Sequence, residues 1–131
     1  MEPLFLTLDE ILLIHENQLK LYGGDSGLRD MGLLQSALNM PSAGFGDEYF
    51  HKDLYEMAAA YLFHLVKNHP FVDGNKRVGF VASYVFLRIN GIQVTASDKA
   101  YEELTLDTAQ GKMDKSQIAV FFKKHSKKTA K

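Results

Sequence analysis

A base, a carboxylate, an amide and two cations fall within nine residues, His69-Pro70-Phe71-Val72-Asp73-Gly74-Asn75-Lys76-Arg77. Histidine is suited to general-base work, and the Asp73 carboxylate to a Mg²⁺ ion. Gly74 permits a positive φ and close approach of a ligand. Asn75, Lys76 and Arg77 then stand where a helix begins. There the free N–H groups and the positive end of the dipole make an anion site, which the two cations reinforce. These are the parts of a phosphate cradle with a metal ligand and a base beside it. Plainer roles exist for each. Asp73 or Asn75 could cap the following helix, and His69 could be a surface histidine. For Lys76 and Arg77 the plain role is weak, because cations in a first turn oppose the dipole unless an anion sits there.

Two apolar helices must hold this turn. Before it, Leu54, Met57, Ala58, Tyr61, Leu62, Leu65 and Val66 recur at helical spacing. After it come Val78, Val81, Ala82, Val85, Phe86 and Ile89, with Phe80, Tyr84 and Leu87 on the other side, so this second helix is apolar nearly all round and central. Pro70 disfavours helical geometry in its predecessor, which predicts a helix end at Asn68 or His69 and an extended His69. Phe71 is the expected anchor of the turn in the core.

The nine residues resemble the signature of the Fic/Doc superfamily, H-x-F-x-[DE]-[AG]-N-[GK]-R, and the lysine after the asparagine resembles the Doc (death-on-curing toxin) branch. Gly27-Leu28-Arg29-Asp30-Met31-Gly32-Leu33-Leu34-Gln35-Ser36-Ala37-Leu38 also resembles that branch. The resemblance implies an all-α domain of about six helices with a short β-hairpin flap or loop. It implies His69 as catalytic base, Asp73 as Mg²⁺ ligand, and Phe71, Gly74, Asn75, Lys76 and Arg77 as the nucleotide- and phosphate-binding set. AMP-transferring Fic proteins resemble H-P-F-x-[DE]-G-N-G-R-x-x-R; here Lys76 replaces the second glycine and Phe80 the second arginine. In the Doc branch such changes go with an inverted ATP and transfer of its γ-phosphate to a protein hydroxyl. The prototype target is a threonine of translation elongation factor Tu, so that translation stops. AMP transfer is the alternative, since Pro70 and Gly74 are shared with Fic proteins. A second alternative is a catalytically weak module that binds its antitoxin. The inhibitory string [ST]-x-x-x-E-[GN] of self-inhibited Fic proteins is missing, so the implied regulator is a separate Phd-like antitoxin. Its disordered C-terminal segment would fold into a groove of this domain.

Along the rest of the chain, Thr7 and Glu10 form a capping box with Leu6 and Ile11 as a staple, opening a helix to about Tyr22. Gly23 to Gly27 lacks the Lys-Ser/Thr ending of a P-loop and reads as a connector. A helix from Asp30 to Asn39 precedes a glycine- and aromatic-rich loop or small hairpin over 41–51, where Fic-like proteins carry the flap that aligns the target segment. Ile92-Gln93-Val94 is a brief extended link. Ser97 or Asp98 opens a helix to about Gln110, and Asp114 with Gln117 opens the last. His15, His51 and His125 read as surface or partly buried residues without a ligand role, and His64 does not pair with His69 at zinc spacing.

With 131 residues, 46% of them apolar, and a net charge of −1, the chain fits one domain and neither a disordered segment nor a whole-protein nucleic-acid binder. The absence of cysteine fits a reducing cytoplasm. The acidic start, MEPLFLTLDE, does not fit a signal peptide, and no apolar run suits a membrane span. From Lys112 on, seven lysines face one acid, Asp114, a net of +6, so the residues before it sum to −7. The expected division is therefore a Fic/Doc domain over 1–124 and a basic, solubilising tail over 125–131, with direct nucleic-acid binding the less favoured reading of that tail.

Overall fold

The Thr7 hydroxyl accepts from the Glu10 N–H, and the Glu10 carboxylate accepts from the Thr7 N–H. This reciprocal cap opens α1 (Leu8–Tyr22), which Gly23 ends at φ 78°. Asp30 caps α2 (Met31–Asn39), Asp53 caps α3 (Leu54–Asn68), and Ser97 caps α5 (Asp98–Ala109). A second capping box, Asp114 with Gln117, opens α6 (Lys115–Lys124). Each such cap is worth about 1 kcal/mol. Only α4 (Asn75–Ile89) begins without a side-chain cap. The expected six helices are thus all present in the computed structural model, which describes residues 2–129.

The core is built on α3, which packs against α4, α6, α2 and α5. All seven residues of its predicted face are buried, and the fully buried run Ala58-Ala59-Ala60 lets neighbours approach from several sides. The α4 face is narrower than its sequence suggests: Val78, Ala82, Phe86 and Leu87 are buried, whereas Ile89 is 42% exposed. Burying each such large apolar side chain contributes about 1.5–3 kcal/mol. At Gly79 a Cβ would stand 2.8 Å from Val66 Cγ2. That close crossing sets how far the end of α3 lies from the start of α4, and so fixes the frame of the turn between them.

Residues 41–51 contain the small hairpin, β1 (Gly44–Phe45) against β2 (Glu48–Tyr49), with Gly44 opposite Tyr49. Phe45 projects from it, 84% exposed. One pairing differs from expectation. Ile92–Val94 form β3, antiparallel to β4 (Ser126–Lys128), with Val94 opposite Ser126. Part of the expected basic tail is therefore a strand; its last two residues, Ala130 and Lys131, lie outside the described residues. The alternation of buried Ile92, half-buried Gln93 and buried Val94 fits a strand, but a partner more than thirty residues away leaves no local signal. Among the described residues no helix is long and apolar enough to cross a membrane.

Candidate functional site

His69 ends α3 in the left-handed conformation, φ 53° and ψ 53°, and is the one non-glycine with positive φ among the described residues. It is not extended as predicted. Pro70 excludes the right-handed helical region, and the chain must reverse within six residues to start α4, which a left-handed helix end achieves. Such a conformation costs a non-glycine residue about 1–2 kcal/mol and persists only where its surroundings hold it. Here the segment before α2 does the holding. Arg29 Nε donates to the His69 carbonyl at 2.6 Å, and Nη2 to the Asn68 carbonyl at 3.0 Å. The main-chain N–H groups of Arg29 and Asp30 donate to the Pro70 carbonyl, and Val72 N–H donates to Gly27. Leu28 and Phe71 form an isolated antiparallel bridge.

Beyond Pro70, Asn75 folds back on the turn. Its Oδ1 accepts from Phe71 N–H and its Nδ2 donates to the Phe71 carbonyl, both at 2.9 Å, with the residue 5% exposed. The N-cap is Gly74, at φ 85°, so neither Asp73 nor Asn75 caps the helix. The first N–H groups of α4 are consequently left for a ligand or water. Asp73 is exposed, yet Oδ1 accepts from Gly74 N–H at 2.8 Å and Oδ2 from Asp25 N–H at 3.2 Å. The bond from Asp25, then that from Gly74, with the charge of Arg77 behind them, holds its carboxyl below the usual range. It is therefore ionised at neutral pH.

A cleft of about 360 Å³ brings together His69, Asp73, Gly74, Asn75 and Lys76. The His69 ring is exposed and has no hydrogen-bond partner among the described residues. Two of the predicted residues face elsewhere. Phe71, 1% exposed, is the turn's anchor in the core and does not line the cleft. Arg77 turns towards α1, donating to the Gly23 carbonyl at 3.2 Å and lying 5.7 Å from the Tyr22 ring centroid. Lys76 also borders a second, more apolar cleft of about 490 Å³ between α1, α4 and α5, with Tyr22, Arg77, Phe80, Val81 and Leu106.

Three residues that brace the turn escaped the sequence reading. His15, expected to be at the surface or partly buried, is buried; the i, i+4, i+7 spacing of Ile11, His15 and Gln18 on α1, all buried, was the available signal. Arg29 lies in the segment singled out by the family resemblance, but nothing local marks its bracing role, since its partners are main-chain atoms about forty residues away. Gly24, read as part of a connector, sits at φ 124° where a Cβ would stand 2.7 Å from Asp73 Oδ2. The glycine segment thus abuts the Asp73 carboxylate. Histidines 51 and 64 lie apart from the cleft, where Lys115 Nζ is 3.3 Å and 3.0 Å from their Nε2 atoms.

The sequence profile of the Fic/DOC family matches residues 5–87, which span the turn, all of α3 and most of α4. Over 101 residues the chain is 40% identical to "Toxin Doc" of Mycolicibacterium smegmatis, covering 75% of this chain and 77% of that one. It is also 32% identical over 111 residues to "Protein kinase doc" of Escherichia phage P1, covering 85% and 86%.

Proposed function

This chain belongs to the Fic/DOC family, and on that premise we propose that it is the toxin of a toxin–antitoxin pair, a protein kinase that transfers the γ-phosphate of ATP to a Ser or Thr hydroxyl. The observation that carries the reading is Lys76. It stands in the second helical position of an uncapped α4 and shares the cleft with His69 and Asp73. A second observation supports kinase chemistry over AMP transfer. Phe80, where AMP-transferring Fic proteins have an arginine, stacks on Tyr101 with centroids 3.9 Å apart, so no phosphate clamp stands at that position.

The phosphates of ATP would lie at the N–H groups that open α4, with Lys76 supplying a compact positive charge. His69 would accept the proton of the target hydroxyl as its oxygen attacks the γ-phosphorus and ADP leaves. The ring's freedom from internal hydrogen bonds suits that task. Asn75 and Phe71 keep the turn rigid, so the base and the anion site stay at a fixed separation. An ionised, exposed carboxylate fits a hard cation, and Asp73 would hold Mg²⁺, which when bound neutralises charge between phosphate oxygens. Arg77 would act from the α1 side of the same helix end.

The hairpin carrying Phe45 would align the target segment, for which translation elongation factor Tu is the first candidate. The cleft bordered by Tyr22, Phe80, Val81 and Leu106 would take the C-terminal segment of a Phd-like antitoxin. The test is incubation of the purified protein with Mg²⁺, bacterial lysate and ATP labelled at the γ- or the α-phosphorus. Label from γ alone is expected, reduced by about 10²–10⁴ in His69→Ala. Label from α would replace this reading with nucleotidyl transfer. No label from either, with a folded protein, would favour an antitoxin-binding module.

A further inference from the structure

We propose that His15, on α1, is a positioning residue that aims the Asp73 carboxylate. Its ring stacks on Phe71 with centroids 3.9 Å apart and planes 11° from parallel. Nε2 lies 2.9 Å from the Asp73 carbonyl oxygen, and the residue is 7% exposed. A carbonyl can only accept, so Nε2 carries the hydrogen in this contact. Seated under the turn, the ring also lies 3.6 Å from the point a Gly74 Cβ would occupy.

The peptide plane supplies the mechanism. The Asp73 carbonyl and the Gly74 N–H belong to one planar unit, so fixing the first fixes the direction of the second. That N–H is the donor that holds Asp73 Oδ1. His15 therefore sets the carboxylate's orientation through the backbone without touching the carboxylate. The other braces act elsewhere: Arg29 on His69 and Asn68, Asn75 on Phe71. Glycine at 74 leaves this plane freer to rotate, because no Cβ restrains φ of residue 74. A single buried donor on its carbonyl is then the restraint that matters.

The consequence for transfer rests on the proposed kinase reading, but the positioning itself does not. His15→Phe keeps an aromatic ring on Phe71 and removes the donor; His15→Gln keeps an N–H donor and removes the ring. The amide resonances of Gly74 and Asp25, the two donors to the Asp73 carboxylate, report its placement directly in ¹H–¹⁵N spectra. In His15→Phe both are expected to move upfield or broaden while helical amides of α3 and α6 stay put, and His15→Gln is expected to restore them in large part. In the transfer assay His15→Phe should lose about tenfold in kcat and need several-fold more Mg²⁺, with KM for the protein target unchanged. Unmoved Gly74 and Asp25 amides in His15→Phe would overturn the proposal, as would equal displacement in the Phe and Gln variants. A wild-type protein that transfers no phosphate would sink the kinase reading alone, leaving the amide spectra to decide on His15.

Discussion

Two polar clusters in this molecule treat charge in opposite ways. In the turn between α3 and α4, Asp73 is exposed and receives two main-chain N–H groups, which favour its charged form. Between α3 and α6, His51, His64 and Lys115 share a half-buried site. Burial, then the ammonium of Lys115 and the neighbouring His51, pushes His64 down to about 4. His51 is lowered by burial and then by Lys115, and Lys115 is lowered by burial. Backbone donors preserve charge in the exposed turn, while desolvation removes it where helices pack. His64 lies on α3 only five residues before His69, so one helix serves both clusters and what surrounds each charge makes the difference.

Removing charge from the first cluster should have the largest effect. Asp73→Asn removes the negative charge and keeps one acceptor oxygen, for one of the two N–H groups, so transfer should fall by about 10²-fold or more with the fold intact by circular dichroism. Retention of most activity would show that the carboxylate is only a structural acceptor. Displacing the charge without removing it should cost less. Gly24→Val puts a branched side chain at φ 124° against Asp73 Oδ2, and about a tenfold loss in kcat is expected, with the Asp25 amide shifted.

The second cluster should show itself in stability. The unfolded His64 takes up a proton near pH 6.5, but the folded ring does so only near 4, so stability falls as pH drops through that interval. The loss should be on the order of 1–2 kcal/mol by chemical denaturation, allowing for partial solvent access. Lys115→Met should shrink that loss without abolishing it, since burial is the larger cause and remains. An unchanged acid profile in this variant would remove the ammonium from the account. Asp73, whose carboxyl is held low, weakens folding only at still lower pH, so the two clusters separate along the titration.

Both helices flanking the turn and the capping boxes that open α1 and α6 were legible in the chain, because each rests on local rules: 3.6-residue periodicity, the Thr7-Glu10 and Asp114-Gln117 pairs, a proline after a helix. Legibility failed where the partner is distant. The left-handed His69 depends on Arg29, and the strand Ser126–Lys128 depends on Ile92–Val94. His15 had a periodic signal for burial, but what it bonds could not be read from spacing. By itself the sequence determined which groups gather in one turn and that two core helices present them. Only the tertiary structure decided how they are aimed. A carbonyl, an N–H or a carboxylate is oriented by donors and acceptors that folding brings from other segments, and main-chain partners such as Gly23, Asp25 and Gly27 leave no side-chain trace.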